Sequence, residues 1–367
     1  MPNPACNPDL IDAAEMVLPC AAFDATLDFF TATLGFRVAA IYPADQPQVA
    51  VVTGHGLRLR LDSHAVGDPG SLRLACRAPD RVAVGARQLI APNGTRIELV
   101  DADPPLALPP LRPRLTVTRV ADNPLWHAGR AGLAYRDLIP DRLGGRYIAS
   151  HIRLSHGGPV ADYVHFHKIG FQVIYCGRGW VKVVYEDQGA PFVMQAGDCV
   201  LQPPRIRHRV LASSAGMEVV EIAMPAAHQT LADPLLPLPN RRRDPRRDFS
   251  GQRFVRHVAA RARWQRCGAF LQRDLGIADG TGGLAAARVV RLAGVAGRSP
   301  ARHAAEFHFM FVTRGGMTLD CGGAHRLQAG DCCVVPAGRD YALDSFTPDV
   351  EVLEVLLPGS AGQRTDR

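Results

Sequence analysis

An internal repeat of one spaced residue pattern constrains the fold more than any other feature of the sequence. The triplet Arg136-Asp137-Leu138 returns as Arg273-Asp274-Leu275. Two further sets return with identical separations: His167, Gln172 and Gly179 as His303, His308 and Gly315, and Gly197, Pro203 and His208 as Gly330, Pro336 and Tyr341. The runs around these residues are strand-like. Two copies of one sheet-rich unit therefore predict two similar β domains in tandem.

In the first copy, three histidines and an amide are spaced so that they can meet. His165 and His167 stand at i and i+2 of a strand-like run, which puts both side chains on one face. Gln172 lies on the next predicted strand, and His208 follows a proline turn about forty residues later. We expect His165, His167, His208 and Gln172 to form a divalent-metal site. The alternative, ordinary polar residues of a barrel, would leave buried imidazoles without partners, at a cost of a few kcal/mol each.

This pattern resembles the two motifs of the cupin family. The first motif reads Gly, His-x-His, Glu, Gly, and the second reads Gly, Pro, His. The matching residues here are Gly158, His165, His167, Gln172, Gly179, Gly197, Pro203 and His208. The chain departs from the motifs at Gln172, which stands in the Glu position, and at Arg205, where the second motif usually has Gly. The resemblance implies a bicupin. Because the acid is absent, the ligand set is similar to that of three-His cupins of the gentisate dioxygenase type.

The N-terminal region predicts a strand, an amphipathic helix and three further strands. Phe23, Leu27, Phe30 and Leu34 recur at helical spacing, with Gly35 as the C-cap. The helix and the later run from Pro92 to Leu99 resemble one half of a vicinal-oxygen-chelate (glyoxalase/bleomycin-resistance) domain.

In that family the closing Glu, here Glu98, often binds metal. The residues that should join it are missing, so we expect Glu98 to belong to a packing or substrate-covering domain.

The expected fold is mainly β, with two cupin jelly-roll (double-stranded β-helix) barrels in tandem after a small α+β βαβββ domain. The chain of 367 residues has room for two or three domains. The predicted segments are a glyoxalase-like domain at 1–110, a metal-binding first cupin at 111–235, an Arg/Pro-rich linker at 236–250 and a second cupin with a degenerate site at 251–360.

The neutral three-nitrogen set suits several divalent metals. We favour Fe(II), with Mn, Ni, Zn and Cu as alternatives, because ligand type does not separate them. Gln172 either binds the metal as a fourth ligand through its amide oxygen or forms hydrogen bonds to the residues that bind it. Three protein ligands leave open positions, which is typical of a catalytic site.

Two further residues of the first cupin are candidates for catalysis. Arg205 follows a proline turn and its guanidinium could hold a substrate carboxylate at the barrel mouth; the alternative is a rim salt bridge. Tyr163 shares the predicted inward phase of His165 and is a candidate acid or substrate donor; the alternative is an aromatic of the cavity wall.

In the second copy the ligand positions have changed. Ala301 replaces the first histidine, His308 takes the acid position and Tyr341 replaces the last histidine. We expect a structural role there, with a residual site of His303, His308 and Tyr341 as the alternative.

Composition narrows the setting and the partners. The formal charge of +7 comes almost entirely from arginine. The densest run of arginines, from Arg241 to Arg247, lies among prolines, so we expect a solvated linker and no nucleic-acid partner, with an acidic partner as the alternative.

No apolar run is long enough to span a membrane. The N-terminus lacks signal-peptide features, and nine scattered cysteines without Cys-x-x-Cys fit a reducing cytoplasm. The family resemblances imply a homodimer.

The leading functional hypothesis is a metal-dependent dioxygenase acting on a small oxygen-rich acid or phenol. A metal-dependent isomerase, lyase or hydrolase that does not use O2 is the second. A non-enzymatic protein that binds or senses a small molecule is the third, because the fold hosts many functions.

Overall fold

The computed structural model describes residues 7–359 of the chain. The first six residues, on which part of the signal-peptide expectation rests, lie outside this range. Contacts divide the chain into two units, with the boundary between Pro105 and Leu106. Within the described range, every helix is too short or too polar to cross a bilayer.

The N-terminal unit is an α+β domain with two small sheets. Its strands are β1 (Met16–Pro19), β2 (Arg37–Tyr42), β3 (Val49–Gly54), β4 (Leu57–Asp62), β5 (Ser71–Cys76), β6 (Gln88–Ile90) and β7 (Arg96–Asp101). Its helical segments are a 3-10 turn (Pro8–Leu10), α1 (Phe23–Asp28), a π-helical turn (Phe29–Thr33) and α2 (Pro79–Val82). The sheet orders are β1-β4-β3-β2 and β5-β7-β6.

The predicted helix of this unit forms, but its second half is π-helical. Phe30 and Leu34 are buried in the core, whereas Phe23 and Leu27 pack only partly against it. Gly35 ends the segment with a positive φ of 72° and its N–H bonds to Thr31 O, which is the predicted C-cap.

The second unit contains two β barrels in tandem, so the predicted fold class is confirmed. The strands up to residue 232 are β8 (Thr116–Thr118), β9 (His127–Ala128), β10 (Ala134–Asp137), β11 (Ile148–Leu154), β12 (Gly158–Pro159), β13 (His165–His167), β14 (Phe171–Arg178), β15 (Trp180–Tyr185), β16 (Phe192–Gln195), β17 (Cys199–Leu201), β18 (His208–Ser213), β19 (Met217–Met224) and β20 (Thr230–Ala232).

The remaining strands include those of the second barrel. They are β21 (Asp248–Phe249), β22 (Gln252–Arg253), β23 (Val255–His257), β24 (Gln265–Cys267), β25 (Phe270–Asp274), β26 (Ala286–Leu292), β27 (Ser299–Ala301), β28 (Phe307–Arg314), β29 (Gly316–Asp320), β30 (Ala324–Gln328), β31 (Cys332–Val335), β32 (Tyr341–Asp344) and β33 (Glu351–Leu357). Short helical segments are Arg130–Gly132, α3 (Arg142–Gly145), Ala259–Arg261 and α4 (Ile277–Gly280).

Each barrel consists of a seven-stranded sheet and a smaller sheet. The first barrel has the orders β23-β17-β14-β19-β11-β10-β9 and β16-β15-β18-β13-β20, with β12 pairing β18. The second has β24-β25-β26-β33-β28-β31-β8 and β27-β32-β29-β30. The two barrels therefore exchange an edge strand: β8, which precedes the first barrel in the chain, pairs with β31, and β23 pairs with β17. Because of this exchange, the finer sequence boundaries at 111–235, 236–250 and 251–360 stay predictions.

The two seven-stranded sheets share one core between them. Alternate residues of β14, including Phe171, Val173 and Tyr175, join this core, whereas Ile174 and Cys176 face the interior of the first barrel. Tyr147 stacks on Phe307 of the other barrel with ring centroids 4.2 Å apart. Strand phase thus determines which residues fill the shared core and which reach the barrel interior.

The repeated Arg and Gly positions form reciprocal contacts between the barrels. Arg136, which is only 1% exposed, donates from Nη2 to the Gly330 carbonyl at 2.8 Å, and Arg273 donates to the Gly197 carbonyl at 3.4 Å. Both glycines have φ near 90°, a conformation that favours glycine. A Cβ on Gly330 would lie 2.8 Å from Val120 Cγ2. The repeat at these positions is therefore explained by barrel packing.

The arginine-rich segment is only partly solvated. Arg241, Arg242 and Arg243 are exposed, as expected of a linker. Arg247 instead packs on the first barrel, where its Nη1 lies 2.7 Å from Glu186 and 2.8 Å from the buried Asp187. These carboxylates hold the segment against the first barrel. The contact joins residues that are distant in the sequence, so composition does not reveal it.

Replacing Gly330 with Ala should destabilise the protein more than the matched change Gly251→Ala. Gly251 also has a positive φ, of 83°, but its Cβ would meet nothing within 4 Å. Both variants carry a backbone penalty of about 1–2 kcal/mol, and only Gly330→Ala adds overpacking worth about 1–3 kcal/mol. Urea unfolding measures the difference, and equal losses in the two variants would contradict the role of this contact.

Candidate metal centre

His165, His167 and His208 converge inside the first barrel. His165 and His208 are directly opposite each other in the β13–β18 pair. Their ring centroids are 4.2 Å apart, and the His167 ring lies 5.2 Å from each. One candidate ligand atom from each ring lies within 4.8 Å of the other two. The strand positions thus bring together the three histidines that the sequence singles out.

Hydrogen bonds orient the three rings for metal binding. Nδ1 of His165 lies 2.8 Å from the Tyr163 carbonyl, and Nδ1 of His208 lies 3.0 Å from the Ile206 carbonyl. A carbonyl only accepts, so these Nδ1 atoms carry the proton and the Nε2 atoms keep their lone pairs.

His167 has a comparable contact: its Nδ1 lies 2.9 Å from Thr230 Oγ1, a hydroxyl that can accept the ring proton or donate its own. A second partner that fixes the ring in this way is typical of metal-ligating histidines. The residues present therefore fit a divalent transition metal.

Burial keeps these imidazoles neutral. It is the largest cause lowering the pKa of His167 to about 3, with the charges of His165, His228 and Arg130 adding to it. Burial also lowers the pKa of His165 and lowers that of His208 well below its ordinary value. Neutral rings have the lone pair that a metal requires.

Gln172 lies in a hydrogen-bonded network behind His208. Its Oε1 accepts from Gln202 Nε2 at 3.0 Å, and Gln202 Nε2 lies 3.3 Å from His208 Nε2. Tyr185 donates its hydroxyl to Gln202 Oε1 at 2.5 Å. In this arrangement Gln172 is linked to His208 through Gln202, and its role as a fourth ligand stays a prediction because its amide oxygen keeps a second lone pair. Gln202 was not identified from the sequence.

Neither predicted catalytic side chain lines the barrel cavity. Tyr163 is 46% exposed. It precedes β13 in an irregular segment, so the predicted strand phase does not reach it. Its ring centroid lies 6.0 Å from that of His165. Arg205 is exposed, at a φ of 64° in the turn before β18. Catalytic roles for these two residues stay predictions.

A cavity of about 260 Å³ opens beside the three histidines. Most of its wall is aliphatic, formed by Leu133, Ile148, Ile152, Ile174, Val181, Val183, Val210 and Val219, with Met194 and Met217. Polar groups that sequence reasoning missed also line it: Arg130, Tyr135, Ser150, Glu221, His228 and Thr230. The cavity combines an apolar body with a few polar groups, as small-molecule sites usually do.

Arg130 is the cationic group of this cavity. Its Nη1 donates to Asp162 Oδ1, and its Nη2 lies 2.5 Å from His165 Nε2. The Asp162 side chain is 1% exposed, and its other oxygen accepts from the Val210 N–H at 2.9 Å. Arg130 comes from a short turn before β10, far from both motifs, so the sequence carries no signal for it.

Glu221 places a carboxyl group on the wall of the same cavity. Burial raises its pKa, opposed by His228, the Gln172 amide and Arg130. It also contributes, after burial, to raising the pKa of Tyr135 to about 12. The sequence signal for Glu221 is an acid between the apolar residues Val220 and Ile222 of β19.

The equivalent region of the second barrel is filled. His303 and His308 have ring centroids 4.6 Å apart, and Tyr341 lies 6.0 Å from each. The buried core around them includes Ala301, Met310, Met317 and Leu343. A void of about 20 Å³ near Glu354 is too small for a substrate. This packing favours the structural role predicted for the second copy.

Glu98 of the N-terminal unit lies on the surface. It pairs with Arg73 at 3.0 Å, and both side chains are more than half exposed. Among residues 7–359, the three histidines of the first barrel are the one group of at least three His, Cys, Asp or Glu side chains close enough to share an ion. The packing or substrate-covering role expected of this domain stays a prediction.

Comparisons with known proteins find solved structures of low similarity, of which three are described. No family model and no curated protein matches the chain. A mutant of Bacillus subtilis oxalate decarboxylase OxdC is 16% identical with a TM-score of 0.49, covering 69% of this chain and 78% of its own. The Lactobacillus farciminis oxalate decarboxylase formate complex is 15% identical with a TM-score of 0.49, covering 69% and 87%. Protein YlbA from E. coli is 11% identical with a TM-score of 0.49, covering 67% and 91%. We therefore infer function from the site itself.

The metal-free protein should lose stability as pH falls below neutrality. The pKa of His167 is depressed to about 3 in the folded state, so between there and about 6.5 the unfolded chain binds the extra proton. His167→Gln should remove up to about 1.4 kcal/mol per pH unit of this dependence. Urea unfolding between pH 7 and pH 4 measures it. The exposed His127→Gln is the control, and identical slopes for wild type and His167→Gln would contradict the assignment.

Proposed function

We propose that this protein is a metal-dependent enzyme of the cupin type, a dioxygenase acting on a small oxygen-rich acid or phenol in the first barrel. The observation that carries the proposal is the convergence of three neutral imidazoles at a largely apolar cavity. Fe(II) is the favoured metal, with Mn, Ni, Zn and Cu as alternatives. The cavity is accessible to a ligand, which favours a catalytic over a purely structural site.

The neutral charge of the three histidines is the first property that the protein contributes to this chemistry. His165, His167 and His208 bring no negative charge, so a bound dication keeps its full attraction for anionic oxygens of a substrate. When bound, the metal would supply a centre at which two substrate oxygens and O2 can be brought together. The protein residues hold their Nε2 atoms towards that centre through Nδ1 bonds to Tyr163, Thr230 and Ile206.

The aliphatic wall supports an oxygenase. Side chains such as Ile148, Ile152, Val181 and Val183 limit the water that can enter, and water exclusion prevents side reactions of a reactive site. The same wall gives favourable contact to a ring or hydrocarbon body. Arg130 adds a positive charge that attracts an acidic substrate to this end of the cavity.

A specific observation favours a second candidate function without O2. Glu221 is a half-buried carboxyl group in the cavity, and burial raises its pKa, so it retains a proton to higher pH than an exposed acid and can serve in proton transfer. With a metal as Lewis acid, this group would suit an isomerase or lyase. Glu221 has no evident task in an oxygenase that acts on an already ionised substrate.

Oxygen dependence separates the two candidates. Purified protein loaded anaerobically with Fe(II) should contain close to one metal ion per chain. With dihydroxybenzoates and 1,3-diketones as probes, we expect about one O2 consumed per molecule of substrate, measured with an oxygen electrode and product mass spectrometry. Equal turnover without O2, lost in Glu221→Gln at unchanged metal content, would instead favour the second candidate.

The matched variants are His165→Ala/His167→Ala, which should lose metal and at least 100-fold in rate, and the exposed His127→Ala, which should retain both. Removing two of three ligands leaves one nitrogen, too few to hold the ion. A wild-type protein that binds no transition metal would contradict the whole proposal.

A further inference from the structure

We propose that Arg130 is the anion anchor of the cavity and that a dication and a monocarboxylate bind there cooperatively, because the metal displaces Arg130 from His165 and the carboxylate then receives the released donor. This inference rests on the proposed metal site. It adds the charge and class of the ligand and names a residue that neither cupin motif contains.

The first step is a competition for one lone pair. Nδ1 of His165 donates to the Tyr163 carbonyl, so Nε2 is the ring's remaining acceptor. Arg130 Nη2 lies 2.5 Å from that atom. A guanidinium is always a donor and never gives up its charge under ordinary conditions. A metal ion and Arg130 therefore cannot use His165 Nε2 at the same time.

The second step is that Arg130 stays in place when it is released. Its Nη1 remains bonded to Asp162, whose side chain is buried and also accepts from the Val210 N–H at 2.9 Å. The guanidinium is thus tethered at the cavity wall, about one third exposed, with Nη2 free to turn to a new acceptor. The site would then hold two adjacent positive groups.

The third step follows from charge. A dication beside a guanidinium is repelled in a partly buried site, and an anion between them removes the repulsion and accepts from Nη2. His165, His167 and His208 are neutral, and Asp162 is already paired with Arg130. Arg130 is the one arginine or lysine among the residues that line the cavity, so the cavity offers one donor site for a carboxylate beside the metal. This geometry favours a ligand with a single carboxylate.

The wall beyond Arg130 defines the rest of the ligand. Leu133, Ile152, Val210 and Met217 form an apolar surface around a space of about 260 Å³. A ligand whose carboxylate lies at the metal end and whose body is a ring or a short branched chain would bury apolar surface there. A small dianion would leave this wall without contact. The inferred class is an apolar monocarboxylate.

The test measures metal affinity, not turnover. Mn(II) binding to the metal-free full chain is followed by titration calorimetry and by electron paramagnetic resonance, alone and with benzoate or its neutral isostere benzamide. In the wild type we expect benzoate to tighten Mn(II) binding at least tenfold and benzamide to change it less than twofold. Reciprocity requires Mn(II) to tighten benzoate binding by the same factor.

Variants assign this coupling to Arg130. Arg130→Met/Asp162→Asn removes both charges of the pair and keeps an oxygen for the Val210 N–H. It should bind Mn(II) alone at least threefold more tightly than wild type, since the competitor is gone, and should show no benzoate effect. Arg178→Met, an exposed arginine of the same barrel, should behave as wild type. The single variant Arg130→Lys keeps the charge and should retain only part of the coupling.

The outcomes separate this inference from the function it rests on. Mn(II) binding that benzoate does not tighten, or tightening that survives in Arg130→Met/Asp162→Asn, overturns the role of Arg130 and leaves the metal site standing. Failure of the wild type to bind Mn(II), Fe(II), Ni(II), Cu(II) or Zn(II) overturns both. Circular dichroism of each variant confirms that the fold is present.

Discussion

The core shared by the two seven-stranded sheets is the constraint on which the rest of the second unit depends. It takes alternate residues from both sheets, among them Phe171, Tyr175, Phe307 and Phe309. Because neighbours along a strand face opposite ways, committing these residues to the shared core directs Ile174, Cys176 and Glu221 to the interior of the first barrel. The smaller sheet supplies the histidines opposite them. The alternation of side chains along these strands therefore determines both the packing between the barrels and the residues that line the interior of the first barrel.

Much of this arrangement could be predicted from residue spacing. Two histidines at i and i+2 of a strand must share a face, and the spacing of Gly197, Pro203 and His208 marks the strand that meets them. The convergence of the three histidines therefore follows from local geometry. The mainly β fold follows from the internal repeat. Tyr163 does not follow this pattern, because the alternation of faces holds only inside the strand, which begins at His165.

Other features depend on contacts between distant residues and have no local signature. Arg130 reaches His165 from a turn 35 positions earlier, and the exchange of β8 and β23 reverses the assignment that sequence order suggests. Glu221 is an intermediate case: an acid in an apolar strand is visible in the sequence, but its direction is known only once its strand is placed between β14 and β11. The repeated Arg136 and Gly330 were visible as a pattern, and only the structure explains them as a contact.

The exchanged edge strands affect how the protein can be made. On a ribosome the first barrel still lacks its edge strand when residue 232 emerges, because β23, which borders β17, is synthesised later, at Val255–His257. Likewise β8 has to wait for β31, more than 200 residues downstream. Maturation of the two halves is consequently interlocked, and a gene fragment encoding either barrel by itself would lack a border strand. Such interlocking gives the second half a structural role that does not depend on metal ligands of its own.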